Sequence, residues 1–250
     1  MLGRILLAFM LTFSTLPAYA AISVVQSKGD CTAANFTSTT CAFPSNVTSG
    51  NVLVACGANW NGNNMSGMAA TDSLSTNYAE IVGAATTSGV AIKTWFAYGV
   101  ATSSGANTIT QTPSGGVGWY GSWGILELSG VDTTTPLDVD GGNSTGTGTT
   151  VSDGITTSAA DTIVLACMSH GNSGTISITE NTGGGWTSAG EVENYSNAPY
   201  AWEYQIFSSA GAKTASFTIG NSIGWTIQTL SLKQTAGSTP VEYFRRRLQP

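Results

Sequence analysis

The segment Asn51-Val52-Leu53-Val54-Ala55-Cys56 occurs again 111 positions later as Thr162-Ile163-Val164-Leu165-Ala166-Cys167. Each copy follows a Thr-Ser pair, Thr48-Ser49 and Thr157-Ser158. A short, nearly unbroken apolar run rich in β-branched residues and flanked by Gly and Ser predicts a strand buried in a sheet. A chain holding two such strands in similar surroundings must place both inside a core, which rules out most extended or disordered arrangements.

The surroundings repeat as well. Ile22-Ser23-Val24-Val25-Gln26 opens the first half, and Pro136-Leu137-Asp138-Val139-Asp140 opens the second. Strand-like runs follow at Thr39 to Phe43 and Thr149 to Ser152, then the two Cys-bearing strands, then polar loops. Aromatic strands come next, Ile92 to Tyr98 and Ala201 to Phe207. Thr-rich strands follow, Asn107 to Thr110 and Thr214 to Thr218, and apolar closing strands, Trp123 to Ser129 and Trp225 to Leu232. No helical period longer than two turns interrupts this order. Only 9% of residues are charged and 41% are hydrophobic, so polarity comes from Ser, Thr, Asn and 31 Gly. Such residues favour turns and strand faces over helices, and the expected class is all-β.

Two architectures fit. One is a two-sheet β-sandwich of jelly-roll or concanavalin-like arrangement, with halves of about 22–130 and 136–234 contributing similar strands to one core. The other is a tandem pair of immunoglobulin-like sandwiches of roughly 100 residues each. The join, Gly130 to Pro136, is short and carries no flexible Gly/Ser tract, which favours the first.

Residues 1–20 read as an export signal. Arg4 supplies the positive start, Ile5 to Leu16 the apolar run, and Ala18-Tyr19-Ala20 a small-x-small cleavage site, so that the mature chain begins at Ala21. No later stretch is long and apolar enough to cross a bilayer as a helix. The expected location is secreted, extracellular or at the cell surface, where disulfides form. Cys31 and Cys41 bracket a polar loop and are candidates for a local bridge; Cys56 and Cys167 pair only if their strands are neighbours. After residue 234 the pattern ends in a linker and a tail, Val241 to Arg247, that carries three Arg beside aromatics. The net charge is −6 and no Lys/Arg stripe follows any strand, which argues against nucleic acid.

Several stretches resemble a known group. Thr71-Asp72-Ser73 with Asn77-Tyr78, Glu127-Leu128-Ser129-Gly130-Val131-Asp132 with Pro136-Leu137-Asp138, and the closing Trp225-Thr226-Ile227-Gln228 are similar to elements of a broad set of secreted bacterial jelly-roll or concanavalin-like β-sandwich proteins. The resemblance covers roughly residues 21–234. It implies an adhesin-like or carbohydrate-associated surface module, with no common activity and no catalytic positions to carry over. Leu128 stands where the set has an aromatic, and Cys31 and Cys41 are not part of its pattern.

The chemistry on offer is sparse. His170 is the only histidine and no Gly-x-Ser-x-Gly elbow surrounds any Ser, so serine-type catalysis has no footing. A glycoside hydrolase needs two carboxylates about 5–10 Å apart; Glu127 and Glu203 are the candidates, with Glu191 and Glu193 as a further pair. Sugar binding asks only for flat aromatics beside amides and hydroxyls. Gly118-Trp119-Tyr120-Gly121-Ser122-Trp123-Gly124 offers Trp119, Tyr120 and Trp123, with glycines expected to leave the rings uncovered; Trp60 beside Asn59 is a second candidate. Asp138, Asp140 and Asn143 form a weak calcium pattern that lacks the closing Glu of a full loop; no cofactor is expected. The reading is a secreted, non-enzymatic β-sandwich for binding or surface structure, with glycans or cell-surface components as partners. A hydrolase on the same scaffold and a packing subunit of a surface layer or fibre are the alternatives.

Overall fold

The computed structural model describes residues 20–60, 65–86, 91–115, 118–171, 174–181, 184–193 and 198–236. The expected export signal (residues 1–20) lies outside them except for residue 20, and the expected linker and basic tail (residues 235–250) except for residues 235 and 236. Among the described residues are fourteen strands: β1 (Ser23–Phe36), β2 (Thr39–Ala42), β3 (Val52–Trp60), β4 (Gly67–Asp72), β5 (Ala79–Ala85), β6 (Lys93–Val100), β7 (Thr108–Ser114), β8 (Trp119–Ser129), β9 (Leu137–Thr157), β10 (Thr162–His170), β11 (Ile178–Glu180), β12 (Thr187–Val192), β13 (Tyr200–Phe207) and β14 (Gly211–Lys233). No described helix is long and apolar enough to cross a membrane. The all-β expectation holds. Four strands, β4, β5, β11 and β12, fall where polar loops were expected. All are short, and each keeps some of its residues exposed.

All pairings are antiparallel. The first half forms a five-stranded sheet, β1-β8-β3-β6-β5, and a three-stranded sheet, β2-β7-β4. The second half forms one six-stranded sheet in which β12-β13-β10-β14 run side by side, β11 flanks β14 and β9 pairs with β14 along both strands. β12, β13, β10 and the paired segments Trp225 to Leu232 of β14 and Leu137 to Gly146 of β9 make up its five-stranded part, the second five-stranded sheet below. β9 and β14 are 21 and 23 residues long, far beyond the usual strand of about 5–6. Their ladder breaks between Thr218 and Ile223. On one side of the break Leu137 to Gly146 pairs with Trp225 to Leu232 beside β10; on the other Thr150 to Thr157 pairs with Gly211 to Thr218, beside β11.

The strands stack in four layers around three cores. Val52, Val54, Cys56, Phe96, Leu126 and Leu128 of the first five-stranded sheet meet Ile163, Leu165, Cys167, Tyr200, Trp202 and Leu230 of the second. The opposite face of the first sheet, with Leu53, Ala55, Trp95, Trp123 and Ile125, packs on Cys41, Met68, Ala70 and Ile109 of the three-stranded sheet. The opposite face of the second packs Val164, Ala166, Met168 and Ile227 on Val151, Ile155, Phe217 and Ile219. The expectation of two facing sheets around one core is therefore corrected: each half has its own sandwich, and the two share a third core between their five-stranded sheets. This is the physical reason for the unbroken apolar runs. β3 and β10 are buried on both faces, so neither face calls for polar residues.

Both cysteine pairs are bridged. Cys31 joins β1 to Cys41 of β2 with Cα atoms 5.8 Å apart, and Cys56 joins β3 to Cys167 of β10 at 6.4 Å.

Candidate ligand-binding site

The aromatic candidates separate by strand register. In β8 the even residues Leu126 and Leu128 face the central core, and the odd residues Trp119, Trp123 and Ile125 face the core of the first sandwich. Trp119 and Trp123 are fully buried, and Trp123 stands 5.8 Å from the Trp95 ring. Neither is a surface platform, which corrects the expectation that neighbouring glycines would uncover them. Those glycines admit neighbours instead. A Cβ on Gly121 would fall on the Asn59 amide and the Phe36 ring, and one on Gly124 on the Lys28 carbonyl, the Tyr200 hydroxyl and Trp202 Nε1. Asn59 is likewise buried. Its amide bonds Gln111 at 2.9 Å inside the first sandwich and does not reach a ligand.

Trp60 and Tyr120 are the two candidates that keep exposed surface. They are cross-strand partners at the end of β3 and the start of β8, with ring centroids 5.4 Å apart and planes tilted by 46°. Trp60 rests its inner side on the central core. The pair forms an aromatic ledge, half-buried and carried by two paired strands.

The carboxylates hold loops. Glu127 is buried in β8 and accepts hydrogen bonds from Gln26 Nε2 (2.6 Å), the Thr48 amide (2.8 Å) and Asn51 Nδ2 (2.6 Å), pinning the segment that leads into β3. Asp138 does the same before β10, accepting from the Ser158 amide (3.0 Å), the Ala159 amide (3.0 Å) and the hydroxyls of Ser158 and Ser231. Asp72 accepts from the Leu74 and Thr76 amides (3.0 and 2.9 Å), Tyr78 Oη (3.0 Å) and Asn107 Nδ2 (2.8 Å). Burial works to raise the Asp72 pKa, but the bonds from Asn107, Thr76 and Tyr78 outweigh it and hold the carboxyl below its ordinary value. Asp132 caps the join through the Thr134 and Thr135 amides (2.8 and 3.0 Å), which lower its pKa. Asp72, Glu127, Asp132 and Asp138 thus anchor loops and turns.

Glu203 is buried in β13 on the face away from the central core. It accepts from the Asn181 amide (3.0 Å) and the Ser216 amide (3.4 Å). Burial pushes its pKa up to about 7, against the pull of the two amides and with help from nearby Glu180. Glu127 shares the face of Ile125, toward the first sandwich's own core, and Glu203 that of Ala201, toward the second's. Both five-stranded sheets and the central core lie between them, so the hydrolase pair expected from the sequence is not brought together. Glu191 lies exposed on β12, where burial, Glu180 and Glu193 raise its pKa, and Glu193 accepts from the Ile178 amide (2.6 Å). The calcium candidates also have other work. Asp140 accepts from the Gly142 amide (2.9 Å), and Asn143 bridges the halves, donating to Thr226 Oγ1 and the Ile227 carbonyl and accepting from the Ala84 amide. Among the described residues no cluster of three or more His, Cys, Asp or Glu is arranged to hold a metal.

Sequence reasoning missed two features. His170 is fully buried at the end of β10 with no hydrogen-bond partner on either ring nitrogen among the described residues, and burial brings its pKa down to about 4 against the opposing field of Glu193. A cleft of about 330 Å³ opens beside β6, lined by Asn77, Tyr98, Val100, Thr133, Thr134 and Pro136 among others. Its walls come from residues 77–79, 98–102 and 133–136, so no local pattern announces it. No family model, no curated protein and no solved structure matches this chain.

Proposed function

We propose that the chain is an exported, non-catalytic recognition module of the cell surface or extracellular space, glycan-related in its ligand, which binds through Trp60 and Tyr120. The aromatic ledge carries this reading. Two tilted rings at a strand end, exposed on one side and fixed on the other, suit the apolar face of a pyranose. The apolar start with its small-x-small site and the two disulfides support export. Glycan-array binding that disappears in Trp60→Ala, with an unchanged melting temperature, supports the assignment. An array on which the wild-type protein binds no glycan removes the ligand class and leaves a purely structural role.

The same reading includes duplication. The pairs β1·β8, β2·β7 and β3·β6 are those of an eight-strand hairpin rolled into a jelly roll, with β5 carried onto the larger sheet. In the second half β9 stands for β1 and β2 fused, β14 for β7 and β8 fused, and β10·β13 for β3·β6. The halves meet as a two-fold pair meets: β1 lies against β12 and β5, the counterpart of β12, against β9, with Cys56 and Cys167 on the axis. The ledge has no copy. The positions of Trp60 and Tyr120 correspond to Gly171 and Gly224, which bond to each other through the backbone at 2.8 Å. The module therefore carries one such ledge, and titration should saturate at one ligand per chain for that site.

A further inference from the structure

The cleft beside β6 is built by two turns that meet over one strand. One wall is the turn 72–78, whose amides at Leu74 and Thr76 are held by Asp72. The other is the join between the halves, whose amides at Thr134 and Thr135 are held by Asp132. Between them lie Tyr98, Gly99 and Val100 of β6, closed at one side by Pro136. Gly99 is required by this arrangement, because a Cβ there would fall on the Asn77 carbonyl and the Thr76 methyl. Both walls are thus preorganised from behind by a carboxylate, which leaves the side chains at their tips to face the cleft.

Those side chains define the ligand. Asn77, Thr102, Thr133 and Thr134 are exposed and bring an amide and three hydroxyls to the rim; among the described residues the Thr102 hydroxyl donates to the Leu74 carbonyl at 2.9 Å. Tyr98 presents a half-buried ring, and Val100 and Pro136 add apolar surface. Among the described residues no Lys or Arg lines the cleft; Asp140 acts on Tyr98, and Asp132, itself within the field of Lys233, caps the join. The Asp140 field at Tyr98 opposes an anion there. Burial and Asp140 both raise the Tyr98 pKa, so the phenol stays protonated and donates. The volume, about 330 Å³, stands at the small end of ligand pockets, roughly 300–1,000 Å³. Hydroxyl and amide groups around an aromatic wall with no cation match one chemistry, that of a neutral polyol.

We infer that this cleft is a second binding site, for one or two residues of a neutral saccharide, at the end of the first five-stranded sheet opposite the Trp60–Tyr120 ledge. Tyr98 pairs with Val54, six residues along β3 from Trp60, which sets the two sites about 20 Å apart. A module with a site at each end bridges two chains of a polysaccharide instead of only adhering to one. The ligand class is read from the cleft's own lining and does not depend on the ledge.

The test is a backbone amide NMR titration of the mature full chain with neutral gluco-, galacto- and N-acetylglucosamine oligosaccharides, and with an oligogalacturonate of equal length. The expected result is saturable shifts at residues 77, 98–102 and 133–135 with a neutral sugar. Tyr98→Phe and Asn77→Ala, which leave the packing in place, should each weaken that binding by about fivefold, and Trp60→Ala should leave it unchanged. Shifts confined to the ledge would overturn the second site while sparing the proposed function. Silence at both ends would remove both. Equal binding of the galacturonate at the cleft would overturn the neutral class, and binding unaffected by Tyr98→Phe and Asn77→Ala would overturn the assignment of the lining.

Discussion

Cys56 and Cys167 are bonded across the interface of the two five-stranded sheets, 111 residues apart in the chain and with Cα atoms 6.4 Å apart. The bond sits in the central core, among Val54, Leu165 and Leu230. It closes a far longer loop than Cys31–Cys41, whose separation is 10. In the chain-entropy account a longer loop restricts the unfolded ensemble more, by about 5 kcal/mol for the long loop against about 3 for the short one. Replacing both Cys56 and Cys167 with Ala should lower the denaturant midpoint more than replacing Cys31 and Cys41. Equal losses would show that the unfolded chain is already compact across the join.

The halves also touch where β1 meets β12. A Cβ on Gly29 would fall on the Gly190 Cα and the Ala189 carbonyl, both backbone, so nothing nearby can rotate away. Gly29→Ala should cost about 2–3 kcal/mol through separation of the two strands. Gly154→Ala is the control: its nearest neighbour is a carbonyl 3.9 Å away, and its midpoint should stay within about 0.5 kcal/mol of the parent. Urea unfolding of the two variants separates the cases.

Glu127 ties the lead-in of β3 to β8 through three donors, and Gln26 extends the tie by accepting from the Ser45 amide at 2.9 Å. Glu127→Ala leaves the Thr48 amide and the Asn51 side chain unpaired beside a buried strand, a loss of about 3 kcal/mol. Glu127→Gln keeps one acceptor and should cost less. Hydrogen exchange at Thr48 should quicken in the Ala variant, while amides in β10 keep their protection. Uniform loss of protection would argue against a local role.

How much of this was legible follows from which faces a residue pattern reports. The runs at Val52 to Cys56 and Ile163 to Cys167 announced buried strands, and β3 and β10 stand there. The number of layers was also present in those runs, since an antiparallel strand with no polar face is covered on both sides; the two-sheet expectation did not use that. Cys31–Cys41 was legible from its short loop, whereas Cys56–Cys167 depended on stacking that only three dimensions supply. The segment Gly118 to Gly124 misled because glycine signals two opposite things, an uncovered surface or a close approach. Here Phe36, Asn59 and Tyr200 fill the space. The cleft beside β6 was illegible for a different reason: its lining comes from residues 77–79, 98–102 and 133–136, which only the fold brings together.

His170 and Glu203 oppose each other in their effect on stability with pH. Glu203 holds its proton up to about pH 7 in the folded state, against an ordinary value of 4.5. Between those values the folded chain binds the extra proton, so stability falls as pH rises, and the contribution is complete below 4.5. His170 is the reverse. It titrates near 4 when folded and 6.5 when free, so the unfolded chain binds the extra proton between those values and stability rises with pH. Each effect is on the order of 2–3 kcal/mol, and the windows overlap almost completely. The parent protein should therefore show little pH dependence of melting from pH 4.5 to 6.5, apart from the fall that the raised, exposed Glu191 adds. Glu203→Gln should expose the His170 term, with melting temperature climbing across that range. His170→Asn should expose the Glu203 term, with melting temperature dropping until about pH 7 and level above it. Thermal melts of the three proteins in one buffer series decide the matter: if both variants keep the profile of the parent, neither group is as deeply desolvated as its burial implies.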